Sequence, residues 1–310
     1  MELVTSWNGA LTQFMWRVFL YMVCFEIPEI HSDFGGFDKI ADISGSLQNT
    51  WDNEVVFNCQ RCIFFDGDMT APLQMVIRQL VERLEQRNLP VHVRFEHIPQ
   101  DVEHALRRNQ FLTEYEYKAL PDFAGSSMPL RRFSCGDSSA YYQYLGALVD
   151  MIDQPEMSLS LTKALKRNLC EIMINACEHA KSGIGFFCCA QYFSSDRKLS
   201  FSFSDGGVGI RQNVSEFKKR EFTDMDAIEW AIKSGNSTKR GPGGLGLDFI
   251  RQFIALNRGK LSVISGQCFY SIVPEASPRI MHNSLCGTTI HLEINTSDTK
   301  SYSLGAGETM

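Results

Sequence analysis

The sequence lacks several features that would assign it quickly. It has no surplus of positive charge: 36 Asp and Glu against 30 Lys and Arg leave a net charge of −6. A nucleic-acid binder ordinarily shows a basic surplus, so no nucleic-acid partner is expected. It lacks a long apolar run. The best stretch, Gly9–Phe25, is interrupted by Gln13 and Arg17 and falls short of the roughly 20 residues that a spanning helix needs. With neither a basic leader nor a small-residue cleavage site, it reads as a packed or amphipathic helix within an N-terminal segment, residues 1–32. Neither a membrane role nor a signal peptide is expected. There is no second Cys-x-x-Cys beside Cys59 and Cys62, so a four-ligand zinc site is unsupported, and that pair reads as small residues beside a buried strand. The ten cysteines show no small-domain spacing and read as reduced thiols of a cytoplasmic protein. Internal repeats and low-complexity tracts are missing too.

What is present is ordinary globular composition, 44% hydrophobic and 21% charged, in 310 residues, enough for two domains. Residues 33–115 alternate strand and helix patterns. "DKIADISGSLQ" is a short helix, and "NEVVFN" and "RCIFFDG" are strand-like. "TAPLQMVIRQLVERLEQRN" is a strong helix with Thr70 as a candidate N-cap, Pro72 in the first turn and Leu73, Val76, Ile77, Leu80 and Leu84 on one face. "LPVHVRFEH" alternates as a strand, and "PQDVEHALRRNQFL" closes with a helix. This is a small α/β layer unit. Residues 116–158 hold clustered Pro, Gly and Ser, a basic spot at Arg131 and Arg132, and a helix from about Ser138 to Asp153; they read as a connecting region. Residues 296–310 are polar and Gly-bearing and read as a disordered tail.

Residues 159–295 hold the chemistry. In "EIMINACEHA", Glu171, Asn175 and His179 recur every four residues, so they form one polar stripe drifting about 40° per step. Leu165, Leu169, Ile172, Met173, Ala176 and Ala180 make the adjoining apolar stripe. Two strands follow. In the second, Leu199, Phe201 and Phe203 face one way and Ser200, Ser202 and Ser204 the other. It ends in Asp205-x-Gly207-x-Gly209. Later, "NSTKRGPGGLGLDFIRQFIALNRGK" runs from a Gly-rich loop into an apolar-periodic helix, then come "KLSVISG", "CFYSIV" and "GTTIHLEI" as strands. Glycines that admit close backbone approach, a helix N-terminus behind them, and Lys239 and Arg240 alongside together suit a phosphate. The loop is not a P-loop, because no Gly-Lys-Ser/Thr ending is present.

Glu171-x-x-x-Asn175, Asp205-x-Gly207-x-Gly209, the loop Gly243-Gly244-Leu245-Gly246-Leu247 and Gly287-Thr288, in that order, resemble the GHKL superfamily. That group includes gyrase, heat-shock chaperone, histidine-kinase and MutL-type ATPases and the anti-sigma-factor kinases. The resemblance implies an α/β (α+β) fold, a two-layer sandwich of the Bergerat type with a mixed sheet, binding Mg²⁺ and ATP. It implies Asn175 as the Mg²⁺ ligand, Glu171 as the acid that orients or deprotonates the nucleophile, and Asp205 as acceptor for the adenine amino group. Gly207 and Gly209 would turn around the base, and Gly243, Gly244, Leu245 and Gly246 would wrap the phosphates. Thr288 would help hold the adenine site, and Ser237, Thr238, Lys239 and Arg240 would lie in a lid. Pro242 departs from the usual glycine and removes one N–H donor. His179 reads as a residue of the pocket mouth, Glu178 and Lys181 as a solvated face, and Asp248 as a first-turn helix stabiliser.

The unit at 33–115 resembles a STAS domain, the fold of anti-sigma-factor antagonists. Gly67 and Asp68 stand where that family has its phosphoacceptor hydroxyls. Asp68 is read here as a helix cap, with Thr70 as a fallback acceptor. No phosphoacceptor-histidine motif precedes residue 159, and His104 is a poor match, so a sensor kinase is not expected. The combination implies a cytoplasmic, nucleotide-dependent signalling switch with a protein partner, with Ser/Thr kinase activity as one form. Alternatives are an ATPase whose closure drives homodimerisation or partner remodelling, and a catalytically quiet ATP or ADP sensor.

Overall fold

The computed structural model describes residues 22–233, 236 and 245–304. Ser237, Thr238, Lys239, Arg240, Gly243 and Gly244 lie outside the described residues, as do Pro242, residues 1–21 and 305–310. The fold is α+β. The first unit is a three-stranded parallel sheet, β1 (Met22–Glu26), β2 (Glu54–Asn58) and β3 (His92–Glu96), in that order. Its crossovers are helices α1 (Phe34–Gln48) and α2 (Thr70–Glu85), and α3 (Gln100–Arg108) follows β3. Asp33 caps α1 by accepting from the Gly36 N–H at 2.9 Å, which satisfies one free donor of the first turn.

Several expectations need correction here. Residues 22–26, placed in a helical N-terminal segment, form a strand that pairs with β2 and packs alternate residues, Val23 and Phe25, on the first unit's core. "RCIFFDG" forms no strand beyond a single bridge between Ile30 and Phe65. Thr70 is not the N-cap of α2. It is the first helical residue, its hydroxyl donates to the Gly67 carbonyl at 2.6 Å, and it is fully buried, so it is no accessible phosphoacceptor.

The second sheet has the order β4-β6-β7-β9-β8: β4 (Ser127–Phe133), β6 (Phe186–Phe193), β7 (Lys198–Asp205), β9 (Ser277–Asn295) and β8 (Lys260–Val273). Every neighbouring pair is antiparallel, so the sheet is not mixed as expected; hairpins join β6 to β7 and β8 to β9. β4 comes from the expected connecting region, which also supplies α4 (Ser138–Asp150). "KLSVISG" and "CFYSIV" are one strand, β8, with a register shift at Gly266, where φ is +63°. From the expected disordered tail, β10 (Ser301–Tyr302) pairs with β5 (Glu156–Met157).

One face of this sheet packs under α4, α5 (Leu159–Ala180) and α8 (Leu245–Asn257). Leu199, Phe201 and Phe203 of β7 point into that core beside Leu165, Leu169 and Met173 of α5. The opposite face is covered by the first unit. α1 lies along β9 and α2 lies over β6 and β7. Ile264, Phe269, Met281 and Leu285 of the β8–β9 hairpin join Phe37, Ile40 and Leu73 in the first unit's core. The second unit is itself helices on one sheet, and because the first unit covers that sheet's other face the serine face of β7 is buried, with Ser200, Ser202 and Ser204 almost inaccessible. Small side chains there let the helices approach closely.

At this junction stands Asp68, fully buried. It caps nothing. Its carboxylate accepts from Ser32 Oγ at 2.6 Å and from Ser202 Oγ at 2.8 Å, and it pairs with His291 Nδ1 at 3.2 Å. Burial opposes the imidazolium, but Asp68 and Glu293 on its two sides hold His291 up at about 9. Glu293 is itself paired with Lys198 and Lys260, and its carboxyl sits at about 2 despite burial.

Candidate functional site

α5 begins at Ser158, whose hydroxyl accepts from the Leu161 N–H, and ends at Lys181 in the left-handed region, φ +53°. Its polar stripe opens on a cavity of about 320 Å³. Glu171, Asn175 and His179 line it from α5, Asp205 and Gly209 from the turn after β7, Gly246 from the start of α8, and Thr288 from β9. Four stretches far apart in the chain thus converge. Asp205 and Thr288 are register partners on β7 and β9, which fixes them side by side at the cavity floor.

Asp205 is 3% exposed, and one carboxylate oxygen accepts from the Gly207 N–H at 2.8 Å. Burial pushes its carboxyl up to about 7, against the opposing pull of the backbone donors at Gly207 and Thr288. Two glycines make the turn possible. Gly287 has φ +85°, and a Cβ there would lie 2.0 Å from the Asp205 carbonyl oxygen. Gly209 has φ +77°, with Ser265 Oγ 2.9 Å from a would-be Cβ. Ser265 ties the elements together, accepting from the Ile210 N–H at 3.0 Å and donating to the Gly287 carbonyl at 2.8 Å.

Gly207 does not line the cavity. It faces a cleft on the other side of the turn, where a Cβ would stand 2.3 Å from Ala180 Cα, so close packing on α5 is what requires glycine. Leu245 enters as the first residue of α8. Gly246 is pressed against the acid: a Cβ would lie 3.1 Å from Glu171 Oε2. Glu171 thus sits beside the N-terminal turn of α8, whose N–H groups and positive dipole end favour anions.

Sequence reading missed much of the wall. Ile174, Ile210, Val214, Trp230 and Ile290 give it apolar sides, with Phe203 at its base. Asn213, in α6 (Gly209–Lys218), lines it too and donates to the carbonyls of His179 and Gly209 at 2.9 and 3.1 Å, bracing α5 against α6. Its place one turn after Gly209 was the available signal. Trp230 in α7 (Asp224–Ala231) had none, since that helix has no motif. Lys181 pairs with Glu216 on the surface, and Asp248 accepts from Arg251 and Gln252 within its own helix.

The cysteines divide. Cys135 and Cys177 form a disulfide between the loop after β4 and α5, contrary to the reading that all ten are reduced. Cys59 and Cys62 are buried thiols, and burial pushes both up, Cys62 to about 12, so neither offers a metal a ready thiolate. No helix among the described residues is long and apolar enough to cross a membrane. Compared with protein-family models and with curated proteins, the chain matches none.

Proposed function

We propose that the chain binds Mg-ATP in the cavity between α5, the 205–209 turn, α8 and β9, and works as a cytoplasmic nucleotide-dependent regulatory switch for a protein partner. In this reading a GHKL-type ATP unit carries a STAS-like unit on its back. The observation that carries it is the convergence of Glu171, Asn175, Asp205, Gly246 and Thr288, from four separate segments, on one cavity with apolar walls and a polar floor. Few ligands need a flat apolar slot, one buried carboxylate acceptor and a helix N-terminus together; an adenine nucleotide does.

Asp205 would accept from the adenine amino group, with Thr288 beside it. The hydroxyl of Thr288 supplies a donor and an acceptor to the ring edge. Asn175, one helical turn from Glu171, would hold Mg²⁺ through its side-chain oxygen. One protein ligand suits an ion that keeps several waters and phosphate oxygens. When bound, Mg²⁺ neutralises phosphate charge. Glu171, at the N-terminus of α8, would orient the attacking hydroxyl and accept its proton, whether that hydroxyl belongs to water or to a Ser or Thr of the partner. Its placement favours turnover over a quiet sensor.

The test is phosphate release and label retention with Mg-ATP. Release that disappears in Glu171→Ala supports hydrolysis, and label transferred to a protein supports a kinase. An Asp205→Ala chain that binds ATP as tightly as the unaltered one would sink the pocket assignment.

A further inference from the structure

The first unit touches the candidate site's framework at two points. The first is under the strands. Asp68 holds Ser202 on β7 and His291 on β9, which are themselves register partners. Asp205 and Thr288 form the rung three residues further along the same two strands, about 10 Å away at a strand's rise per residue. One buried carboxylate from the first unit therefore clamps the strand pair that presents both floor residues.

The second point is behind the turn. Gly206 has no room for a side chain: a Cβ would lie 2.6 Å from Met75 Sδ and 3.1 Å from Ile184 Cδ1. Met75 belongs to α2 and packs, inaccessible to solvent, with Ala71, Ile184, Phe187 and Cys189. The turn that opens on the cavity at Asp205 and Gly209 thus rests directly on α2. Just N-terminal to α2, the Gly67 N–H donates to Gln191 of β6, which fixes the start of the helix to the same sheet.

A close-packed contact cannot absorb a shift of the turn by compression, because interiors are already dense. Movement of the 205–209 turn must shift α2, repack the Met75 side chain or open the contact. We infer that Asp68 and Met75 are positioning residues for the nucleotide site, so that nucleotide occupancy and the seating of the first unit are energetically coupled. The inference rests on the nucleotide reading above and adds its means of regulation. Whatever loosens the first unit weakens nucleotide binding, and bound nucleotide tightens the first unit by the same factor.

The experiment uses the full chain. Amide hydrogen exchange is followed with and without Mg-ADP, and Mg-ADP affinity is measured for the unaltered chain, Met75→Ala, Met75→Leu and Asp68→Asn. Coupling predicts exchange across residues 70–78 slowed about fivefold or more by Mg-ADP. It also predicts affinity weakened about fivefold or more in Met75→Ala and restored to within about twofold by Met75→Leu. A purely structural role for Met75 would leave the ligand-dependent exchange of α2 unmoved. If residues 205–210 are protected by Mg-ADP while α2 exchanges as before, the coupling is refuted and the nucleotide reading stands. If nothing is protected and no Mg-ADP binds, both are refuted. Should the altered chains fail to fold, the exchange comparison on the unaltered chain still decides.

Discussion

The ionisation of Asp205 gives the sharpest test of the pocket. Its carboxyl is pushed up to about 7 because burial outweighs the backbone donors at Gly207 and Thr288. An adenine amino group donates more strongly to the ionised carboxylate than to the neutral carboxyl, so binding favours the carboxylate. Where the ionised form binds much the tighter, apparent affinity scales with the ionised fraction. It is nearly complete at pH 8, about halved at pH 7 and about tenfold weaker at pH 6, falling about tenfold per further pH unit. The same shift acts on stability. A folded-state value above the unfolded one means that the contribution is fully present below about pH 4 and lost as pH rises through about 7, a cost of roughly 4 kcal/mol at alkaline pH. Nucleotide supplies the missing donor, so its stabilising effect should be larger at pH 8 than at pH 6. The assay is Mg-ADP titration by calorimetry from pH 5.5 to 8.5. Asp205→Asn run in parallel removes the contribution of phosphate protonation. A flat profile in the unaltered chain, or an equal slope in Asp205→Asn, would refute the assignment of this carboxylate to the base.

Three other outcomes are expected. Glu171→Gln should lower phosphate release by about 10² to 10⁴-fold, the range for a lost general base, with Mg-ADP affinity within about threefold of the unaltered chain; steady-state release and calorimetry check it. His291→Leu leaves Asp68 buried without its cation and should cost about 3–5 kcal/mol in urea unfolding, part of which adding Asp68→Asn recovers. Because His291 is held up at about 9, that pair's contribution is present below about 6.5 and lost as pH rises through 9, so the urea midpoint of the unaltered chain should drop there. Gly207→Ala forces a Cβ to within 2.3 Å of Ala180 Cα, a backbone atom that cannot step aside; about 1–3 kcal/mol of stability should be lost in thermal unfolding.

The elements that sequence reading found were those with a strong period and clear boundaries. α2, α4 and α5 lie close to where the sequence placed them, and β7 follows from alternation. The stripe on α5 was legible because helix geometry alone puts Glu171, Asn175 and His179 in one row, and all three line the cavity. Two kinds of feature were not legible. "RCIFFDG" has strand composition but pairs almost nowhere, because the parallel sheet is completed by Met22–Glu26 instead. Asp68 looked like a helix cap because it precedes a helix, a purely local signal. Two of its partners, Ser202 and His291, lie more than a hundred residues away, and no local pattern announces them. The burial of the Ser200–Ser202–Ser204 face was equally hidden, since small polar residues on alternate positions read the same whether water or a helix covers them.

The shared core has a consequence for synthesis. Phe37, Ile40 and Leu73 close against Ile264, Phe269, Met281 and Leu285, and Asp68 waits for His291. On a ribosome adding about 5–20 residues per second, the first unit emerges complete in sequence but incomplete in packing. It waits on the order of 10–40 s for the β8–β9 hairpin that covers it. During that interval its apolar underside and a lone carboxylate face solvent, the stage at which a nascent chain is most exposed to wrong partners. The hairpin made late in the chain is also what finishes the fold's beginning.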